Sequence, residues 1–325
     1  MSRRMRTIAI IGAALLASLV MSAFSLGPTP GSGPCNVPGP GDFQGAPPPW
    51  VIPSGGRETV VTHLDGSRTC TITRSDGSLF GRAFTDERGR PYRVEYYDDL
   101  SRIFYDVDID YPKDGATAEQ RVPYGFTDPD RCSTSPPQTA NPEADTWEYS
   151  TINWYINDTS IPNNTWINRA TAITHVRNAH AQWENNTTHC SEITDGSTLD
   201  FNYSGTSSGT PRQKDNLSIV VRQEAQPNCT GAAIGCETTW YSVLTGKVIE
   251  SDIVLDDDFP LTTSPGTYTN RYDIWSLTAH EVGHRALFGH VSDHRMVMDD
   301  EGLELGNILY RKLSRGDAIG NNNKY

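Results

Sequence analysis

Two histidines four residues apart place the strongest local constraint on this chain of 325 residues. His280 and His284 flank Glu281 in the run His280-Glu281-Val282-Gly283-His284, and Asp273 upstream can cap the start of a helix. On a helix, residues four apart project from the same face, so the two imidazoles can converge on one metal ion. Two histidine nitrogens at about 2.0–2.1 Å favour Zn²⁺. Glu281 is turned away from the ion but lies beside the place of an activated water, where it can act as the base.

A third histidine completes the expected ligand set. His290 follows His284 by six residues, and Gly289 can break the helix and turn the chain back beneath the ion. Three neutral nitrogens and a water form the open tetrahedral site typical of catalytic zinc. The spacing therefore predicts a Zn²⁺ site held by His280, His284 and His290. The alternative is a structural helix whose histidines bind no metal.

Residues 280–290 resemble the zinc signature of the metzincins, and their Glu-x-Gly-His core and Gly-His ending resemble the matrixin branch most. Met298 lies eight residues after His290, where matrixins carry the methionine of the turn beneath the metal. Asp300 stands where astacin-like and serralysin-like members have tyrosine. The resemblance covers roughly residues 147–320.

Two features depart from the matrixin pattern. Leu287 occupies the position, three residues after His284, where the family usually has a glycine at the helix end. Because a left-handed conformation is costly for a non-glycine residue, we expect the turn to be made one or two residues later. Asp293 and His294 are then the alternative metal ligands in place of His290. The proline and tyrosine that follow the family's methionine are also missing, which leaves the preferred substrate side chain open.

The resemblance implies a secreted zinc-dependent endopeptidase. The zinc ion would polarise the substrate carbonyl and activate a water, with Glu281 as the general base that passes the proton to the leaving amine. In the family, the substrate pairs with an exposed sheet edge above the active-site helix, and chain order places that edge at residues 238–243. The alternative is a non-catalytic extracellular binding protein on a degenerate zincin scaffold. Glu281 counts against it, because a scaffold has no use for that carboxylate.

The predicted fold class is α+β. Alternating and helical periodicities predict a strand at 152–156, a helix at about 166–184, strands at 199–203, 217–221 and 248–256, and the active-site helix. With the resemblance, this order implies a metzincin-like twisted mixed sheet of about five strands with a backing helix. Before it, residues 59–111 contain short β-rich runs separated by Asp-Gly and Arg-Gly pairs, which predict a small meander of hairpins.

The predicted organisation has five parts. These are a signal peptide at 1–25, a Pro/Gly-rich linker at 26–57, a small β-rich domain at 58–112, a second linker at 113–146 and a matrixin-like metallopeptidase domain at 147–325. The β-rich domain is either a pro-segment or a binding module, and the sequence leaves that choice open.

The N-terminus has a basic start with Arg3, Arg4 and Arg6, followed by an apolar run at residues 8–20, which is typical of a secretory signal. A retained membrane anchor is the alternative, although the run is short for a spanning helix. We therefore expect a secreted mature chain without a membrane span, acting on extracellular protein or peptide. The net charge of −13 argues against a nucleic-acid partner, because phosphate binding needs clustered Lys and Arg. The oligomeric state is left open.

Six cysteines suit an exported chain with disulfides. Proximity favours the pairs Cys35–Cys70 and Cys132–Cys190, and the glycines between Cys229 and Cys236 let the chain turn back to join those two. For Cys132 the alternative is a thiolate that plugs the zinc, as in many matrixins, although the surrounding residues match that plug poorly. The run Asp256-Asp257-Asp258 is either a structural Ca²⁺ site, which the family often has in its loops, or a solvated acidic turn.

Overall fold

The structure is a computed structural model, and it describes residues 53–99, 102–111, 131–133, 141–143, 145–223, 233–300 and 303–325. The predicted signal peptide at 1–25 lies outside the described residues, as do most of the two predicted linkers. Among the helices in these ranges, none combines the length and the hydropathy that a membrane span requires.

The described ranges are rich in strands. In chain order these are β1 (Arg57–Thr62), β2 (Arg68–Thr73), β3 (Leu79–Thr85), β4 (Pro91–Tyr97), β5 (Ile103–Asp110), β6 (Asn141–Pro142), β7 (Thr151–Ile156), β8 (Asp200–Thr206), β9 (Ser218–Gln223), β10 (Gly235–Tyr241), β11 (Val248–Asp256), β12 (Leu261–Thr262), β13 (Tyr272–Asp273) and β14 (Phe288–Gly289). The α-helices are α1 (Arg169–Glu184), α2 (Ile274–Arg285) and α3 (Arg315–Lys324), with short 3-10 turns at Asp158–Ser160 and Leu309–Arg311.

Ten of these strands form one mixed sheet, in the order β1-β2-β3-β4-β5-β10-β11-β9-β7-β8. Strands β1 to β5 are antiparallel neighbours, as the meander prediction requires. Their turns contain Gly66, Gly77 and Gly89 with φ angles of 90°, 86° and 80°. Glycine adopts this left-handed region without steric cost, which explains the Asp-Gly and Arg-Gly pairs and confirms the predicted hairpins.

The prediction of a metzincin-like sheet of about five strands is wrong. Strands β5 and β10 pair antiparallel, from Tyr105 opposite Trp240 to Asp110 opposite Gly235. This pairing joins the five meander strands to β7 through β11, so the fold is mostly sheet, with only three α-helices in the described ranges. The periodicity of a strand indicates which of its faces is buried, but not which distant strand completes its hydrogen bonds.

The junction between β5 and β10 belongs to the protein core. One apolar cluster takes side chains from both strands, including Val107 and Ile109 on β5 and Trp240 on β10, together with Val254 on β11. Burying one such aliphatic side chain stabilises a fold by about 1.5–3 kcal/mol. The meander is therefore fixed to the rest of the sheet by hydrophobic burial as well as by backbone hydrogen bonds.

Helix α1 backs the sheet and contacts α2. It begins after Asn168, whose side chain caps the helix. Its predicted apolar face, Ala172, Val176, Ala179 and Trp183, is fully buried, which confirms that face. Trp183 Nε1 also donates a hydrogen bond to Ala279 O at 2.7 Å, and this bond fixes α1 beside the part of α2 that carries the histidines.

Candidate metal centre

Helix α2 is held at both ends. Asp273 accepts hydrogen bonds from Ser276 N at 3.1 Å and Ser276 Oγ at 2.9 Å, which confirms the predicted cap. At the other end, the buried Arg285 donates to Ser251 O at 2.8 Å and to Ile219 O at 3.0 Å, so it ties the helix to β11 and β9. The helix therefore presents its residues to the sheet in a fixed orientation.

His280 and His284 lie on one face of α2, with ring centroids 5.0 Å apart. His280 Nδ1 is 2.6 Å from Val297 O, and His284 Nδ1 is 3.0 Å from Phe288 O. A ring whose Nδ1–H donates to a carbonyl keeps its Nε2 unprotonated, with a lone pair free for a metal. Backbone oxygens thus orient both rings so that Nε2 is available to a metal.

The chain leaves α2 through a turn at Leu287, which has a φ of 61°. The expectation that the turn falls one or two residues later is therefore wrong. Leu287 N donates to His284 O at 2.6 Å, and its side chain is buried in the core. Burial of a leucine offsets a left-handed backbone that costs about 1–2 kcal/mol. The turn brings His290 Nε2 to within 3.2 Å of His280 Nε2.

A fourth residue, Asp110 at the end of β5, joins the three histidines, and one ligand atom from each lies within 4.8 Å of the others. Nitrogens that share a tetrahedral zinc at about 2.0–2.1 Å lie about 3.3 Å apart, close to the separation of His280 and His290. His284 Nε2 and Asp110 Oδ2 are buried and face each other at 3.4 Å, and neither makes a hydrogen bond of normal geometry in the described structure. A buried lone pair without a partner is costly, and one divalent cation would satisfy both. The residues fit Zn²⁺.

The sequence interpretation missed Asp110. Its Oδ1 lies 2.9 Å from His280 Nε2 and 2.6 Å from His290 Nε2, and its Oδ2 lies 3.4 Å from His284 Nε2. Burial alone would raise the pKa of Asp110, but the three neighbouring imidazoles lower that pKa well below its ordinary value. Asp110 therefore contributes a carboxylate, which is an established type of zinc ligand.

A signal for Asp110 was present in the sequence. Asp106, Asp108 and Asp110 alternate with Val107 and Ile109, and alternate residues of a strand share one face. The apolar face of β5 packs into the core, while the acidic face is also buried. Three buried carboxylates on one face indicate that a cationic group lies opposite them.

Glu281 lies against β10, where Gly235 makes room for it. A Cβ atom at position 235 would lie 2.1 Å from Glu281 Oε1. Neither Glu281 oxygen has a hydrogen-bond partner of normal geometry in the described part of the chain. Burial, followed by the adjacent carboxylates of Asp110 and Glu237, raises the pKa of Glu281 well above its ordinary value. Glu281 is thus a buried carboxyl group able to hold a proton beside the histidines.

Met298, the predicted methionine beneath the metal, is fully buried under α2. Its neighbour Val297 provides the carbonyl that orients His280. The structure therefore places the segment around Met298 directly behind the histidines of α2.

Asp293 and His294, the two alternatives to His290 as a metal ligand, pair with other residues. Asp293 Oδ2 pairs with Arg295 Nη2 at 2.5 Å. His294 Nδ1 lies 2.8 Å from Asp299 Oδ1, in a separate group of possible ligands. The structure brings His290, and neither alternative, to His280 and His284.

Residues 238–241 of the sheet edge predicted at 238–243 lie in a central strand and are buried, so the prediction that this edge is exposed is wrong. Strand β10 lies between β5 and β11, and all its residues are buried. Its outer hydrogen-bonding groups are paired with β5. The sequence did not indicate this pairing, because β5 is separated from β10 by more than a hundred residues.

Cys132 and Cys190 form a disulfide, which confirms that pair and leaves Cys132 no free thiolate for a metal in this structure. The predicted pairs Cys35–Cys70 and Cys229–Cys236 each include a residue outside the described ranges. The acidic run at 256–258 has one buried and two exposed members that could hold a cation together. Both interpretations of that run, a Ca²⁺ site or a solvated turn, therefore stay open.

Comparison of the chain with protein-family models and with curated protein sequences finds no match. Its function is therefore inferred from the site itself.

Proposed function

We propose that this protein is a secreted zinc-dependent endopeptidase. The observation that carries the proposal is the convergence of His280, His284 and His290 beside the buried carboxyl group of Glu281. The resemblance of residues 280–290 to the matrixin zinc signature supports the same reaction.

Each residue has a distinct part in this proposal. The three histidines would hold the metal through Nε2, and a bound Zn²⁺ would supply a Lewis acid that polarises a carbonyl and lowers the pKa of water. Glu281 accepts a proton from the attacking water on one of its carboxylate oxygens and then donates it to the leaving amine. The buried position of Glu281 keeps that proton away from bulk solvent.

The proposed substrate is a protein or peptide outside the cell. The Cys132–Cys190 disulfide supports an oxidising compartment, where such bonds persist. The net charge of −13 disfavours nucleic acid as a partner.

One observation favours a second candidate function, a non-catalytic binding protein. Strand β5 covers β10, and Asp110 occupies the histidine cluster, so a permanently closed scaffold would look the same. The buried carboxyl group of Glu281, which makes no hydrogen bond of normal geometry in the described part of the chain, counts against it, because such a group destabilises a fold in which it does no chemistry.

Limited proteolysis followed by a cleavage assay separates the two candidates. The purified chain is treated briefly with trypsin, the trypsin is inhibited, and cleavage of casein is followed with and without 1,10-phenanthroline. We expect cleavage that the chelator abolishes and that Glu281→Ala lacks while retaining its zinc. Zinc binding without cleavage in any trypsin-treated sample favours the scaffold, and the absence of zinc contradicts both the metal site and the peptidase.

A further inference from the structure

We infer that the β-rich N-terminal region inhibits the peptidase from within the same chain, with Asp110 as a fourth ligand to the metal. This inference rests on the proposed zinc site. For the β-rich N-terminal region, the geometry of β5 and β10 favours the role of a pro-segment over that of a binding module.

Strand β5 occupies the place where an extended substrate would pair. It runs antiparallel to β10 over six residue pairs, from Tyr105–Trp240 to Asp110–Gly235. An extended peptide binds a sheet edge through the same backbone groups, so β5 and a substrate cannot use β10 together. Because Gly235 is also the residue against which Glu281 lies, β5 reaches the catalytic carboxyl group at its last residue.

The end of β5 presents a side chain, and not a peptide bond, to the histidines. Asp110 O accepts a hydrogen bond from Ile234 N at 2.7 Å, so the main-chain carbonyl faces β10. The carboxylate oxygen Oδ1 instead lies between His280 Nε2 and His290 Nε2. The carboxylate thus fills the position that a catalytic zinc site leaves for solvent, and no scissile carbonyl is placed beside Glu281.

Other meander residues close over the same site. The Tyr92 ring packs edge-on against His290, with ring centroids 6.2 Å apart. Arg93 forms an ion pair with Glu143, a residue whose backbone N–H donates to Leu287 O at 2.9 Å. These contacts hold the meander over the turn that positions His290, so inhibition does not depend on Asp110 alone.

Cobalt substitution tests the fourth ligand without relying on peptide hydrolysis. The visible absorption of Co²⁺ reports its ligands, so the full chain is loaded with Co²⁺ and titrated with azide and with pH. The parent is compared with Asp110→Ala, and with Asp106→Ala as a matched control. Asp106 lies on the same buried face of β5 but pairs with Arg93 at 2.6 Å and not with the histidines.

We expect the absorption bands of the parent and of Asp106→Ala to be insensitive to azide and to pH. Asp110→Ala leaves one coordination place to solvent, so its bands should shift on adding azide and on raising the pH from about 6 to about 9, as a metal-bound water ionises. Asp110→Asn, which keeps the side-chain volume, should also respond to azide, because a neutral amide is the weaker ligand.

Two results would overturn the inference while leaving the peptidase proposal intact. One is a parent protein that responds to azide as Asp110→Ala does, because Asp110 would then not be a ligand. The other is an equal response from Asp106→Ala, because the effect would then come from loosening of β5. If no variant and no parent sample binds Co²⁺ or Zn²⁺, the proposed function itself fails.

Discussion

The main chain of Gly283 passes so close to Met298 that a Cβ atom at position 283 would lie 2.1 Å from Met298 Sδ. The same atom would lie 2.8 Å from Trp183 Cζ2. Gly283 is located between His280 and His284, and the residue before Met298 orients His280. This close approach therefore fixes the distance between α2 and the Met298 segment, and with it the positions of His280 and His284.

Gly283→Ala is expected to lower the free energy of unfolding. In an ordinary helix interior, alanine is about 1 kcal/mol more favourable than glycine. Here overpacking dominates, so we expect a loss of about 1–3 kcal/mol in urea unfolding, together with reduced zinc content. Gly266→Ala is the control, since its Cβ would meet nothing within 4 Å. A Gly283→Ala protein with parental stability and full zinc would show that the packing is not tight.

Gly235→Ala should separate catalysis from metal binding. The new methyl group would displace Glu281, whose Oε1 lies 2.1 Å from the ideal Cβ position, and the three atoms nearest to that position belong to Glu281 and Leu277. We expect zinc content close to that of the parent and a loss of casein cleavage after trypsin treatment, of about 100-fold or more if Glu281 is the general base. If Gly235→Ala lost its zinc instead, Gly235 would be needed to position the zinc-binding histidines and not only Glu281.

The parts of the molecule that the sequence predicted are those with a local signal. The helix cap at Asp273, the shared face of His280 and His284, and the glycine turns of the meander each depend on residues within a few positions of one another. Local periodicity and turn chemistry are sufficient for such elements.

The parts that the sequence did not predict depend on tertiary contacts. Asp110 reaches the histidines only because β5 pairs with β10, and no local pattern encodes that partner. Leu287 adopts a left-handed backbone because its side chain is buried, so packing overrides the backbone preference that favoured a later turn. Both errors concern long-range contacts at the proposed site.

Zinc content should distinguish the third histidine from its neighbours. We expect His290→Ala to lower bound zinc as His284→Ala does, because both Nε2 atoms belong to one cluster. His294→Ala should retain zinc, because its Nδ1 pairs with Asp299 at 2.8 Å. Metal analysis of the dialysed proteins measures the bound zinc. If His294→Ala lost zinc and His290→Ala retained it, His294 would be the third ligand in place of His290.

Leu287→Gly compares the cost of the left-handed backbone at residue 287 with the stabilisation that comes from burial of the leucine side chain. Glycine would remove a left-handed strain of about 1–2 kcal/mol, but loss of a buried leucine side chain costs about 2–5 kcal/mol. We therefore expect a net destabilisation of about 1–3 kcal/mol in urea unfolding. A stabilised Leu287→Gly protein would mean that the Leu287 side chain contributes little to the core.

Stability should fall as the pH rises through neutrality, because of carboxyl groups buried in β11. Burial, which outweighs hydrogen bonds from the backbone of Asn216 and Asp215, raises the pKa of Glu250 to about 7. The nearby Asp252 also has its pKa raised, by burial and by Glu250. The folded state therefore holds these protons more tightly than the unfolded state. The resulting stabilisation is complete below the ordinary pKa of a glutamate and is lost as the pH rises through about 7.

Glu250→Gln tests this dependence, since glutamine does not titrate. We expect the parent to lose no more than about 2 kcal/mol from Glu250 between about pH 5 and about pH 8, after allowance for solvent screening. The Glu250→Gln protein should show a flatter slope over the same range. The stability of Glu250→Gln at a single pH is a poorer measure. The glutamine amide has one acceptor oxygen where the carboxylate has two, so one of the two backbone N–H groups that donate to Glu250 loses its hydrogen bond. Urea midpoints at the two pH values give the slopes, and equal slopes in the two proteins would mean that Glu250 is already ionised in the folded chain.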